Sequence, residues 1–273
     1  MKKILAMLLA LVMVLSLAAC ASTQPAAEPA ASSDAPAESG KTYTVGVCQL
    51  VQHEALDAAT QGFVDALKEA LGDAVTIDVQ NASGDSVNCG TIVNGFVSKG
   101  VDLIMANATP ALTAAVSATA DIPILGTSIT AYGVALDIDD FSGTVGGNVS
   151  GTSDLADLQK QAQMILDWFP ETKTVGLLFC SAEPNSRYQI GEVAKCLSDK
   201  GIETKEFAFT DTNDVASVTQ SAADYSDVVY VPTDNTAASN TEAIANVLVP
   251  AGVPAICGED GICKGCGVAT LSI

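Results

Sequence analysis

The chain is short of nearly everything that chemistry on a substrate would require. It has one histidine, His53, and one tryptophan, Trp168, and aromatic residues make up 5% of its 273 positions. A single histidine rules out a three-histidine zinc site and leaves no spare imidazole beside a Ser-His-Asp triad. No Gly-x-Ser-x-Gly elbow, glycine-rich phosphate loop or His-Glu-x-x-His helix is present. The sequence therefore reads as a protein that is not an enzyme and carries no cofactor. Basic residues are also scarce, with 12 Lys and Arg against 32 Asp and Glu, a formal charge of −20. Nucleic-acid binders carry clustered Lys and Arg to replace phosphate counterions, and no such cluster occurs, so nucleic acid is excluded as a partner. The acidity reads as solubility.

What is present begins with a leader. Lys2 and Lys3 precede an apolar run over 4–15, then Leu17-Ala18-Ala19-Cys20 and a Ser/Ala/Pro/Glu tract reaching Gly40. A basic start, an apolar segment short for a membrane span and small residues before a cleavage point predict an export signal over 1–19. Leu-Ala-Ala-Cys resembles the lipobox of bacterial lipoproteins, which implies that Cys20 becomes the lipidated first residue of the mature protein. An ordinary signal peptide with an incidental Cys20 is the alternative. Removal of Lys2 and Lys3 takes the charge from −20 to −22. Pro25, Pro29 and Pro36 among Ala, Ser, Asp and Glu cannot bury enough apolar surface to order themselves. Residues 20–41 are therefore expected to form a disordered tether that places the folded part about 25 Å from the membrane. Burial of acyl methylenes, at about 0.8 kcal/mol each, would hold it at the extracytoplasmic face of the cell membrane.

From residue 43 onward, short apolar runs alternate with longer amphipathic ones, the pattern of an α/β protein with doubly wound parallel sheets. The runs span 43–48, 75–79, 101–106, 122–125, 175–180, 202–209, 228–231, 253–257 and 268–271. The second half repeats the first. Thr44-Val45-Gly46-Val47 recurs as Thr174-Val175-Gly176-Leu177, Asp102-Leu103-Ile104 as Asp227-Val228-Val229, and Ile122-Pro123-Ile124 as Val253-Pro254-Ala255, at offsets of 130, 125 and 131 residues. A duplicated unit follows, giving lobe one over 42–141, a Gly/Ser/Thr-rich hinge connector over 142–153 and lobe two over 154–273.

In open parallel sheets ligands bind beyond the carboxyl ends of the strands, so the loops there predict a cleft between the lobes. Lobe one supplies Gln49, His53, Glu54, Thr109, Thr127 and Ser128; lobe two supplies Asn185, Ser186, Asp234, Asn235, Thr236 and Asp260; Asp154 follows the connector. Thr109-Pro110 reads as a helix start, threonine at the cap and proline at the first helical position, with free amides able to attract a carboxylate. A plain capped helix is the alternative. Asn235-Thr236 and Asn185-Ser186 can play the same part opposite, while Asp154, Asp234, Glu259 and Asp260 are candidates to hold an ammonium group. Closure of two lobes on a ligand that touches both is the mechanism this layout suggests.

Several segments, Val45-Gly46-Val47 through His53-Glu54-Ala55-Leu56-Asp57, Ala108-Thr109-Pro110-Ala111, Gly147 to Leu155 and Tyr230-Val231-Pro232-Thr233-Asp234-Asn235-Thr236, resemble the ABC-transporter substrate-binding lipoproteins of the tryptophan/tyrosine-binding type. The resemblance runs from about Tyr43 to Ile273 and implies the type I periplasmic-binding-protein fold. It also implies a monomer that clamps an amino acid, often aromatic, and hands it to a membrane permease driven by an ATPase. Two departures stand out. Members typically carry proline where this chain has Glu54, and they continue past the strand near Leu271 into a further helix and strand, so the C-terminal return to lobe one is expected to be missing. A lipid-tethered sensor on the same fold, or a binder of another small polar solute, is the alternative function.

With Cys20 committed to lipid, seven cysteines remain, an odd number. Cys48 and Cys180 end apolar runs, where cysteine acts as a small buried hydrophobe. Cys257, Cys263 and Cys266 include one Cys-x-x-Cys, which is a weak zinc signal because a structural site needs four ligands. A local disulfide or free thiols are the competing readings, and no metal site is expected.

Overall fold

Each apolar run becomes a parallel strand in the computed structural model, which describes residues 40–272. The expected signal peptide, Cys20 and all of the tether before Gly40 lie outside the described residues. Lobe one runs β1 (Tyr43–Gln49), α1 (Glu54–Leu71), β2 (Val75–Asn81), α2 (Ser86–Lys99), β3 (Leu103–Asn107), α3 (Thr109–Ala118), β4 (Ile124–Ile129), the single turn α4 (Tyr132–Ala135) and β5 (Val149–Ser153). Lobe two runs α5 (Leu158–Trp168), β6 (Thr174–Cys180), α6 (Pro184–Ser198), β7 (Glu203–Phe209), α7 (Val215–Tyr225), β8 (Val228–Val231), α8 (Asn235–Ala238), α9 (Thr241–Ala251), β9 (Ala255–Cys257), α10 (Asp260–Cys266) and β10 (Ala269–Thr270). The sheets have the orders β2-β1-β3-β4-β5 and β7-β6-β8-β9-β10, the same arrangement twice.

The duplication extends to hydrogen bonds. Asp102, before β3, accepts from the Thr44 amide at 2.7 Å and the Thr44 hydroxyl at 3.1 Å. Asp227, before β8, accepts from the Thr174 amide at 2.9 Å and its hydroxyl at 3.0 Å. Both carboxyls are held below their ordinary pKa, Asp102 by the Thr44 donors and Asp227 by the Lys173 and Thr174 amides. Each pair sets the register of the central strand against its neighbour. Gly46 and Gly176 then let a covering group approach, since a Cβ would strike the Phe96 ring at the first and Ser226 at the second.

Central strands are buried on both faces, as parallel sheets require. The core of lobe one gathers Phe96, Ile104, Leu112 and Ile124; in lobe two it includes Phe179, Phe209, Tyr230 and Leu177. Each such side chain contributes about 1.5–3 kcal/mol by leaving water. Local signals set the helix ends. Asp85 caps α2 by accepting from the Val87 amide at 2.7 Å, and Gly100 closes it in the left-handed conformation at φ 65°.

The connector differs from the expectation. Val149–Ser153 is a strand, paired parallel to β4, and the chain crosses to lobe two only over 154–157. An edge strand needs backbone pairing rather than apolar alternation, and here only Val149 is buried. Gly151 sits at φ 153°, and a Cβ there would collide with the Gly126 backbone and the Tyr132 hydroxyl. The glycine that reads as flexibility is what admits the strand.

Candidate functional site: the cleft between the lobes

The cleft is built from residues that start helices. His53 precedes α1 with an extended backbone and makes no capping bond of its own, which leaves its ring free to reach across. Its Nε2 lies 3.2 Å from Asn235 Oδ1, the first residue of α8 in lobe two.

Behind Asn235 stands Glu183, 3% exposed, which precedes α6. Its Oε2 accepts from the Asn235 amide at 3.1 Å and from Asn235 Nδ2 at 2.6 Å. Its Oε1 accepts from the Thr236 amide at 2.9 Å and hydroxyl at 2.8 Å. Beside it, Asp234 joins the end of β6 to α8, accepting from the Cys180 amide at 2.7 Å and the Ala237 amide at 2.8 Å. Burial, reinforced by the Glu183 charge, pushes the Asp234 carboxyl up to about 7.

These bonds revise several expected roles. Asp234 does not face the cleft as an ammonium ligand; its two oxygens are occupied by backbone amides. Asn235 and Thr236 direct their donors to Glu183, leaving Asn235 Oδ1 for His53. Gln49 is also committed internally, donating to Val51 O at 2.8 Å and Asp57 at 2.6 Å while accepting from Thr60 at 2.6 Å. Ser186 is fully buried and receives a bond from Asn185 Nδ2 at 3.3 Å. Glu54 and Asp260 are exposed and share Lys264, at 3.7 and 2.6 Å, an ion pair across the cleft rim. Thr127 and Ser128 are half-buried in the irregular end of β4, with Ser128 at φ 56°. At α3 the register shifts by one: Ala108 occupies the cap at φ 89°, with Thr109 and Pro110 the first two helical residues. The Ala108 amide bonds Thr127 O at 3.1 Å, which holds that residue on the sheet and out of the helix.

Three expected residues keep an unpartnered buried polar atom: Thr109 Oγ1, Asn185 Oδ1 and Asp154 Oδ1. Burial raises the Asp154 carboxyl above its ordinary pKa, and the nearby Glu259 charge adds to this. Asp154 lines a cavity of about 340 Å³ with Glu54, Ala55 and Ala58 of lobe one and Thr233, Gly258 and Glu259 of lobe two. A second cavity of about 410 Å³ also spans the lobes, between Pro110 and Thr113 on one side and Ala182 and Pro184 on the other. Glu183, in the loop that follows β6, is the organising residue of this wall. Its signal was the repeat, because 183 is 53 plus the 130-residue offset. Among the described residues no group of three or more His, Cys, Asp or Glu side chains is placed to hold a metal ion.

Two duplicated α/β lobes that meet at the carboxyl ends of their strands, with unpaired polar atoms on both walls, define a two-lobed solute-binding protein of the type I periplasmic class. The chain belongs to the ABC transporter substrate binding protein family, whose model matches residues 44–273. It is 33% identical over 267 residues to a tyrosine-binding protein of Clostridioides difficile strain R20291, covering 95% of this chain and 76% of that one. Among solved structures it is similar to the ABC domain in complex with L-Trp from Streptococcus pneumoniae, with a TM-score of 0.80 and 32% identity over 85% of this chain and 79% of that chain. The ligand-free, open structure of a substrate binding protein from Clostridium difficile is 35% identical, covering 82% of this chain and 77% of that chain, yet has a TM-score of 0.54. By TM-score the shape of this chain is nearer the L-Trp complex than the open structure.

Proposed function

We propose that this chain is a lipid-anchored, extracytoplasmic receptor that binds an amino acid, aromatic in preference, between its lobes and delivers it to the permease and ATPase of an ABC importer. The observation that carries this reading is the set of unpartnered buried atoms. A free amino acid brings an ammonium donor and a carboxylate acceptor to one carbon. Asp154 Oδ1, on the wall of the 340 Å³ cavity, is an acceptor suited to the first; the Thr109 hydroxyl, a donor suited to the second, and the acceptor Asn185 Oδ1 adjoin Pro110 and Pro184 of the 410 Å³ cavity. Ala55, Ala58, Gly258 and Gly261 line the 340 Å³ cavity with small residues, which leave room for an aromatic ring. The tyrosine and tryptophan in the names of the two relatives support the same class. The lipobox-like Leu17-Ala18-Ala19-Cys20 supports the anchor.

Isothermal titration against the twenty amino acids tests the ligand. Tyrosine, tryptophan or phenylalanine should bind, and Asp154→Asn should lose at least about tenfold in affinity, or 1.4 kcal/mol, while folding normally. Binding of none of the twenty, or unchanged affinity in Asp154→Asn, would defeat the assignment. Labelled palmitate should be incorporated by expressing cells and lost in Cys20→Ala.

A further inference from the structure

Three cysteines that ligand binding does not use gather behind the cleft wall of lobe two. Cys257 ends β9 and is fully buried, Cys263 lies half-buried in α10, and Cys266 ends that helix with its thiol donating to Ile262 O at 3.3 Å. All three are unpaired thiols. Gly267 shows how close the first two lie. A Cβ added there would collide with the Cys257 sulfur and lie 3.0 Å from the Cα of Cys263, so both pack against the bare Cα of Gly267. Contact with the Cys257 thiol lowers the Cys263 pKa to about 7, against the opposing charges of Asp260 and Glu259. Cys257 itself is pushed well up by the two neighbouring thiols and by burial. At neutral pH Cys263 is therefore the nucleophile of the group, and its half-exposed position lets an oxidant reach it.

We propose that Cys257 and Cys263 form a reversible disulfide that remodels the lobe-two wall of the cleft and places solute binding under redox control. Gly258, Glu259, Asp260 and Gly261 all line the cavity, and all lie between the two sulfurs in sequence. Drawing Cys263 onto β9 must disturb the start of α10, where Glu259 accepts from the Gly261 and Ile262 amides at 2.7 Å each. The oxidant is a low-molecular-weight disulfide. The Cys263 thiolate attacks one of its sulfurs and expels one thiolate. The Cys257 thiol then gives its proton to a released thiolate and attacks Cys263 Sγ, expelling the second. Two protein thiols are oxidised to one disulfide while the reagent disulfide is reduced to two thiols. The control of binding rests on the cleft being the solute site; the disulfide does not.

Purified protein incubated with oxidised glutathione, alkylated and mapped by non-reducing peptide mass spectrometry should show a Cys257–Cys263 cross-link. It should vanish in Cys263→Ser, persist in Cys266→Ser and be reversed by reduced glutathione. A Cys263–Cys266 cross-link, a stable glutathione adduct or no oxidation would overturn the proposal. Hydrogen exchange at the Gly261 and Ile262 amides reads the remodelling without any solute: faster exchange after oxidation is expected, and unchanged exchange overturns it. Affinity for tyrosine and tryptophan should fall at least tenfold on oxidation, and equal affinity in the two forms overturns the control of binding. If neither form binds while the mapping and exchange results hold, the failure belongs to the solute assignment.

Discussion

His53 of lobe one and Asn235 of lobe two meet across the cleft, with Nε2 3.2 Å from Oδ1, while Asn235 Nδ2 donates to Glu183 at 2.6 Å. Because Glu183 takes the amide nitrogen, the asparagine must present its oxygen to the imidazole, which then carries its proton on Nε2. His53 and Glu183 occupy equivalent places in the two repeats, each just before the helix that follows the first strand of its lobe. The duplication has brought two related loops onto one side chain.

His53→Ala should therefore loosen closure rather than folding. One hydrogen bond is worth about 1 kcal/mol net, so affinity for the bound amino acid should fall roughly fivefold while the melting temperature of the free protein moves little. Small-angle scattering of the variant should show a larger fraction of open molecules. Unchanged affinity and scattering would mean that the cross-cleft bond does not contribute to closure.

Glu183→Ala is expected to damage the fold itself. It strands the buried donors of Asn235 and Thr236, and leaving a buried donor unsatisfied costs about 1–3 kcal/mol. Urea unfolding should report a loss of that order. Stability within 1 kcal/mol of wild type, on the scale of a single exposed contact, would contradict the organising role given to this carboxylate.

Asp234 makes stability depend on pH with a definite sign. Its folded pKa of about 7 lies above the ordinary carboxylate value of 3.8, so between those values the folded state holds more protons than the unfolded state. Its contribution is fully present below about pH 4 and is lost as pH rises through about 7. Asp102 and Asp227, whose pKa values are lowered, act oppositely, losing their contributions as pH falls through the acid range. Unfolding curves for wild type should decline toward neutral pH, and those for Asp234→Asn should lack that decline. Parallel curves for the two proteins would refute the assignment.

Two glycines of the former connector should behave differently. Gly151→Ala forces a Cβ into the Gly126 backbone and should release β5, lowering stability by about 2 kcal/mol or more. Gly143→Ala, at φ 93° but with open space around it, should cost only the backbone strain, about 1 kcal/mol. Equal losses on thermal melting would show that 142–153 acts as a flexible connector after all.

Much of the architecture was legible because parallel sheets write themselves as apolar runs and because the repeat pairs one lobe with the other. The strands expected at 43–48, 175–180 and 228–231 agree with the structure to within a residue, and both sheets have the order the repeat implies. β5 was not legible, since an edge strand of Val, Ser, Gly and Thr is held by its neighbour's backbone and by Gly151 rather than by its own composition.

For the site, sequence alone determined the loops: backbone direction in a parallel sheet sends polar residues to the carboxyl ends of strands, and those loops do form the cleft. Only tertiary structure decided which residues remain unpaired there. Asp234 and Asp154 are both acidic loop residues in sequence, yet the first is spent on the amides of Cys180 and Ala237 while the second keeps a buried oxygen without a partner. A buried polar group binds a solute only when the fold has left it unsatisfied. For Asp234 one donor is its own helix cap, Ala237, but the other, the Cys180 amide, is brought by the fold from 54 residues away, which no local pattern records.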